Sequence, residues 1–555
     1  MILKSLVKHP ITAAGEFLSI KSSSLKKIHP VFLSLGTGIL LSAAWPPSPL
    51  SFFIFIAFVP LLWISEMKLS RKVFFGWTYL SLLVWNAITT WWMCKASLPG
   101  GISAIMANAL LMSTPWIGFF NVKKSMGNRV GYSALILFWL SFEYIHLNWE
   151  LSWPWLTLGN VFSANPASVQ WYEYTGTSGG SLWILLINLL FFLLLKKGGH
   201  NTGSRRKYVI PIVLILLIPF VCSFLIRNSL DKKIAEKMEK TSANIVIVQP
   251  NVDPYDEKFV AGKQEGQLQK LIHMSESVID SITVLVVWPE TAVPVQINED
   301  SMRTSYFMAP VWNFLKQHPN INLLTGVEGF RFYTEQKKTE YSRRIPQTDT
   351  YYDAYNSAVL MDSNIFEVYH KSKLVPGAEV LPSFLHFMES WFEKFGGTTG
   401  SYAGQKERTV LKSYNHSYNI APAVCYESIY GEFMSKYVRN GADLIAVITN
   451  DGWWGNTAGY RQHENYARLR SIETRRWLIR SANTGISCLI DPLGHVIDPQ
   501  PWDLASAIKI KAPANSELTF YVRHGDLISK LAIISTILLL IWNIIILIKS
   551  RVKNG

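Results

Sequence analysis

Three stretches of this chain set reactive side chains at the ends of apolar runs. Asn419-Ile-Ala-Pro-Ala-Val-Cys425-Tyr426-Glu427 ends in a thiol and a carboxylate. Val286-Val287-Trp288-Pro289-Glu290 ends in a carboxylate, and Tyr369-His370-Lys371-Ser372-Lys373 carries two ammonium groups. A thiol, a carboxylate and an ammonium are the parts needed for acyl transfer through a thioester. A Cys425 at a strand-to-helix turn faces a helix N-terminus, whose partial positive charge favours the thiolate. A partly desolvated Glu290 suits the removal of the thiol proton. A fixed cation beside a reacting carbonyl stabilises the oxyanion. Each residue also has a plain structural reading. Cys425 could pair with Cys488 in a disulfide, Glu290 could serve a helix start, and the lysines could be solvated. Spacing alone does not choose between Lys371 and Lys373.

The segment that carries these residues alternates short apolar runs with helical patterns. The runs 243–249, 283–288, 322–326, 357–361, 420–425, 444–449 and 487–490 read as strands buried on both faces. Helices are expected over 261–279, 302–317, 428–439 and 460–475. This alternation indicates an α/β layered domain. An aromatic stripe of Phe384, Phe387, Met388, Trp391, Phe392 and Phe395 recurs at helical spacing, as core or as an arm at a membrane surface.

The rest of the 555 residues is different in kind. Residues 30–227 and 527–548 are largely apolar, with about eight stretches of near-spanning length: 29–45, 50–65, 74–93, 101–122, 130–146, 180–195, 208–226 and 527–548. Lysines and arginines cluster in alternate loops, while Glu143–Gly180 has none. This is a positive-inside pattern. It accounts for much of the +14 net charge without nucleic acid, puts both termini in the cytoplasm and sets residues 228–526 outside it. The expected division is 1–227 with about seven spans, 228–526 as an extracytoplasmic catalytic domain, and 527–555 as a last span and cytoplasmic tail. The Trp-rich stretch Trp149 to Gly159 reads as an aromatic belt at the outer interface. The four cysteines form no CxxC or Cys/His cluster, so no metal site and no cofactor are expected.

Taken together, the motifs resemble the carbon–nitrogen hydrolase (nitrilase) superfamily, and within it the apolipoprotein N-acyltransferase branch. The resemblance rests on Trp288-Pro289-Glu290-Thr291, Tyr369-His370-Lys371 with Leu374-Val375-Pro376, Cys425-Tyr426-Glu427, Asn450-Asp451-Gly452-Trp453-Trp454-Gly455, Gln462-His463 and Asn483-Thr484-Gly485. It extends into the membrane half through Phe58 to Trp63 and Trp153 to Gly159. It implies an αββα sandwich beside a helical membrane domain, and a Glu290–Lys371–Cys425 triad. It also implies a second essential carboxylate, Glu379, and supporting roles for Tyr426 and Glu427. The chain departs from the branch at Pro376-Gly377-Ala378-Glu379, where Pro-Phe-Gly-Glu is usual. Candidate substrate-binding aromatics are Trp288, Trp391, Phe392, Trp453 and Trp454. The implied reaction moves a fatty acyl chain from a phospholipid to Cys425. It then passes to the N-terminal amine of a diacylglyceryl-cysteine apolipoprotein, with ping-pong kinetics. The implied setting is a monomer in a bacterial inner membrane, its catalytic domain facing the periplasm. A membrane-anchored amidohydrolase, with water as acceptor, would use the same triad. A lipid-binding protein on an inactive nitrilase fold is a third class.

Overall fold

The computed structural model describes residues 28–197, 202–241, 243–258, 260–384 and 401–554. Its first half is a bundle of apolar helices. Arg71–Thr90, Leu98–Met126, Asn128–Leu147, Tyr172–Lys196 and Arg205–Lys240 are long and apolar enough to cross a bilayer, as is Leu527–Lys549. The segments Pro30–Ala44 and Ser51–Ile64 are shorter. All eight expected stretches are therefore helical, six of them at spanning length among the described residues. The boundary expected at 227 falls inside a helix, since Thr202–Lys240 runs on to within a few residues of the first strand.

The second half is a four-layer α-β-β-α sandwich. One sheet has eight strands, with Asn244–Gln249, Thr283–Val287, Asn322–Thr334 and Thr350–Met361 adjacent in that order. The other has six, with Asn419–Val424, Leu444–Thr449 and Leu478–Ala482 parallel at its centre. Side chains alternate across a strand, so each strand of the first sheet has two destinations. Ile245, Ile247, Leu285, Val287, Leu324 and Leu360 pack in the core that contains the second sheet. Val246, Val248, Val286, Trp288, Leu323 and Val359 face a separate core under the helices Gln264–Glu276 and Ala309–Gln317. The helices Gly431–Arg439 and Ala458–Thr474 cover the other face of the second sheet.

The expected strands are present to within a few residues, except that two hairpin strands, Asn322–Thr334 and Thr350–Met361, are much longer. Strands Phe366–His370 and Leu478–Ala482 come in addition to the expected set, because Glu367, His370, Arg480 and Ser481 interrupt their apolar runs. The expected helix 302–317 begins at Ala309 with a proline in its first turn, after two 3-10 turns. The aromatic stripe lies mostly outside the described residues; Phe384, its described member, is exposed.

The two halves share one core. Trp45, Trp92 and Trp155 belong to the same buried cluster as Ile445 and Ile448. Helix Ala458–Thr474 is the docking element. Gln462 accepts from the indoles of Trp92 (3.1 Å) and Trp155 (2.7 Å), and donates to the carbonyls of Pro46 (2.9 Å) and Thr89 (3.2 Å). Trp45 donates to the Tyr466 hydroxyl at 3.0 Å. Arg475 holds Glu173 and Gln170 at 2.7 Å each. Trp155 is thus not an aromatic-belt residue but a buried joint, whereas Trp149 is partly exposed.

Candidate active site

Cys425 follows directly on the strand Asn419–Val424 and has a φ of 51°. That left-handed conformation is unfavourable for a residue with a Cβ, by about 1–3 kcal/mol, and marks a position held by its surroundings. Two groups hold the peptide. Ser428 Oγ donates to Cys425 O at 2.8 Å, and His463 Nε2 lies 3.1 Å from the same oxygen. Behind His463, Asp451 Oδ1 is 2.9 Å from Nδ1, and Arg480 is bonded to Asp451 Oδ2. The expectation that a helix N-terminus lowers the thiol pKa is not met. A five-residue 3-10 turn, Cys425–Ile429, intervenes, and the α-helix begins at Gly431. Burial first, then the charges of Glu290 and Asp451, push the Cys425 thiol pKa well up, against the opposing pull of Lys371. The resting group is a thiol and needs a base.

Glu290 and Lys371 follow strands Thr283–Val287 and Phe366–His370 of the eight-stranded sheet and act electrostatically on the thiol. Lys371 Nζ donates to Glu290 Oε1 at 3.2 Å and to Glu379 Oε1 at 2.7 Å. Burial would draw this ammonium down, but the two carboxylates outweigh it and hold its pKa well above the lysine range. It is a permanent cation, the form an oxyanion requires. Glu290 Oε2 accepts from the Asn450 backbone N–H at 3.1 Å. Lys373 has another task. Its Nζ donates to Leu147 O at 3.1 Å, at the end of a membrane helix, and lies 4.9 Å from the Tyr430 ring centre. The geometry therefore separates the two lysines that spacing leaves equivalent.

The supporting residues take distinct places. Glu379 closes on Lys371 through Oε1 and accepts from the Val375 N–H through Oε2 at 2.8 Å. Glu427 is fully buried and joins the two sheets. It accepts from Val424 N (2.9 Å) on one side, and from Ser372 N (2.7 Å), Lys373 N (3.1 Å) and Tyr369 OH (2.7 Å) on the other. Tyr426 donates to Ser152 O at 2.6 Å and so ties the Cys425 turn to the membrane half.

The candidate substrate aromatics divide. Trp288 is fully buried, and its indole donates to Ser275 Oγ at 2.9 Å within the sheet–helix core; it is a packing residue. Trp454 packs on Trp92, Trp155 and His463 at the joint, and Trp453 stands edge-on to Tyr255. Trp391 and Phe392 lie outside the described residues. Cys425 and Cys488 are both free thiols.

Sequence reasoning misses Asn356. Its Nδ2 donates to Glu290 Oε1 (2.8 Å) and Glu379 Oε1 (3.0 Å), and its main-chain carbonyl accepts from Lys371 N (2.8 Å). An Asn inside a long strand carries no signal of its own. Asp451 and His463 lie within recognisable motifs, but their place behind the nucleophile emerges only when the strand ends converge.

Comparison with known proteins agrees with this layout. Residues 37–190 match the family described as apolipoprotein N-acyltransferase N-terminal domain, and residues 244–508 match carbon–nitrogen hydrolase. A Chlorobaculum tepidum protein named apolipoprotein N-acyltransferase is 31% identical over 93% of this chain and 96% of its own. Proteins of the same name from Geobacter metallireducens and Thermotoga maritima are each 25% identical, over 89% and 91% of this chain and 91% and 92% of their own. With both halves matched in order and nearly the full length aligned at that identity, the chain belongs to the apolipoprotein N-acyltransferase family.

Proposed function

We propose that this chain is a phospholipid:apolipoprotein N-acyltransferase of the bacterial inner membrane, its sandwich domain on the periplasmic side and both termini in the cytoplasm. The observation that carries the reading is the buried Lys371 ammonium, clamped between Glu290 and Glu379 and acting electrostatically on the Cys425 thiol. Glu290 takes the thiol proton, and the sulfur attacks an acyl ester of a phospholipid. Lys371 and a backbone N–H at the Cys425 turn stabilise the tetrahedral oxyanion. Collapse expels a lysophospholipid and leaves a thioester. The amine of a diacylglyceryl-cysteine then attacks, and the product is an N-acylated lipoprotein with the free thiol restored.

The domain division expected from hydropathy fits this chemistry, because donor and acceptor both reside in the bilayer. The core shared with the membrane half holds the nucleophile turn at a fixed place relative to that surface. Incubation with labelled phospholipid, followed by mass spectrometry, tests the reading. An acyl adduct on Cys425 that vanishes in Cys425→Ser is the expected result. A Cys425→Ser protein that still acylates a lipopeptide overturns it.

A further inference from the structure

Lys258 is a buried cation with no part in the acyl transfer itself. It sits on the loop after strand Asn244–Gln249, with 3% of its surface exposed. Its Nζ lies 3.3 Å from the main-chain oxygen of Glu290 and is hydrogen-bonded to Thr291 Oγ1. Among the described residues it makes no ion pair with any carboxylate. Buried lysines without a paired anion are rare and need a reason.

The turn it holds is itself constrained. Thr291 has a φ of 44°, an unusual value for a β-branched residue. Gly326 packs so closely beneath that a Cβ there would lie 2.3 Å from Thr291 N and 2.6 Å from Glu290 Cα. Gly326 N also donates to Pro289 O at 3.0 Å. Two neighbours thus press on one strained turn, and one of them carries a positive charge. A cavity of about 230 Å³, bordered by Lys258, Thr291, Val293, Gln296 and Glu328, runs alongside.

We infer that Lys258 is a positioning residue for the base: it clamps the Glu290–Thr291 turn and so aims the Glu290 carboxylate. The charged groups bearing on it are Glu290 and Glu328, with Asp253 and Glu257 on its own loop. Burial draws its pKa down to about 8, with Glu290 and Glu328 pulling it back up, so the ammonium persists at neutral pH. The inference rests on Glu290 acting as the base.

Alkylation of Cys425 by iodoacetamide, read by mass spectrometry in the full-length detergent-solubilised protein, tests it without any acyl transfer. Lys258→Met slows alkylation about tenfold as the turn loosens. Lys258→Arg, which keeps a donor for the Glu290 carbonyl, restores most of the rate. Thr291→Val keeps the ammonium and removes one acceptor; it slows alkylation about threefold and serves if Lys258→Met does not fold. An unchanged rate in Lys258→Met, no recovery in Lys258→Arg, or an unchanged rate in Thr291→Val overturns the clamp alone. An unchanged rate in Glu290→Gln overturns the base assignment and the clamp with it.

Discussion

The two sheets face each other across the active site, yet they are held by different means. The six-stranded sheet carries Cys425, and its covering helix Ala458–Thr474 is bonded into the membrane half through Gln462, Tyr466 and the adjoining Arg475. The eight-stranded sheet carries Glu290 and Lys371, and its covering helices pack a separate core. Its side meets the membrane half through the loop after His370, where Lys373 bonds Leu147 O and Ser383 bonds Glu150. Cys425 is therefore held by elements bonded into the membrane half. Glu290 and Lys371 lie on the other sheet, joined to this one by the shared core, by Glu427 and by the Asn450 N–H on Glu290.

That contrast can be broken in order of size. Glu290→Gln removes the proposed base and slows thioester formation about 10³-fold, close to 4 kcal/mol of barrier, in a single-turnover assay with labelled phospholipid. Gln462→Leu leaves two indole N–H groups and two carbonyls unpaired at the joint. It lowers stability by about 3 kcal/mol in a denaturant titration of the detergent-solubilised protein. The matching change in the outer core, Ser275→Ala, orphans the Trp288 indole alone and costs about 1 kcal/mol. Equal losses from the last two would show that the joint holds no more strongly than the outer core.

A pH scan sharpens the comparison, because two buried glutamates, one on each side, carry opposite signs. On the nucleophile side, burial raises Glu473 to about 7 and Asp526 to about 6. A carboxyl with a raised folded pKa binds more protons folded than unfolded. Its stabilising contribution is present below about pH 4 and is lost as pH rises toward 7. On the other side Glu299 is buried, but hydrogen bonds and charge from His370, with Arg331, outweigh burial and lower its pKa. Its contribution is present above the ordinary glutamate value and is lost as pH falls. Thermal unfolding of Glu473→Gln should therefore decline less between pH 4 and 7 than the parent. Glu299→Gln should instead lose stability most at neutral pH.

Much of this is legible in the residues. Cys425 and Glu290 mark their strand ends, because each breaks an apolar run with a group that packing alone does not call for. What stays hidden is whatever breaks the pattern for a reason several strands away. Arg480 disguises a central strand because its partner Asp451 lies at the end of a neighbouring one. Asn356 gives no hint because two distant carboxylates define its role. Trp288 misleads for the opposite reason. Its two-residue spacing from Val286 assigns it to the helix-facing core, a parity that proximity to Glu290 obscures.

The helix Thr202–Lys240 has a consequence of its own. At 39 residues it is about 58 Å long, nearly twice a bilayer's hydrocarbon thickness. Its upper end is pinned by Lys237, which donates to Asn515 Oδ1 at 3.0 Å, and Ser223 below accepts from the Gln170 N–H at 3.1 Å. It is a stilt, with Pro211 and Pro219 inside its lower part, that sets the height of the first strand above the lipid. Each residue inserted above Arg227 would raise that strand by about 1.5 Å and swing it by about 100°. Altitude and heading are coupled in such a support, so the domain can be lengthened away from its substrate only by also turning its back on it.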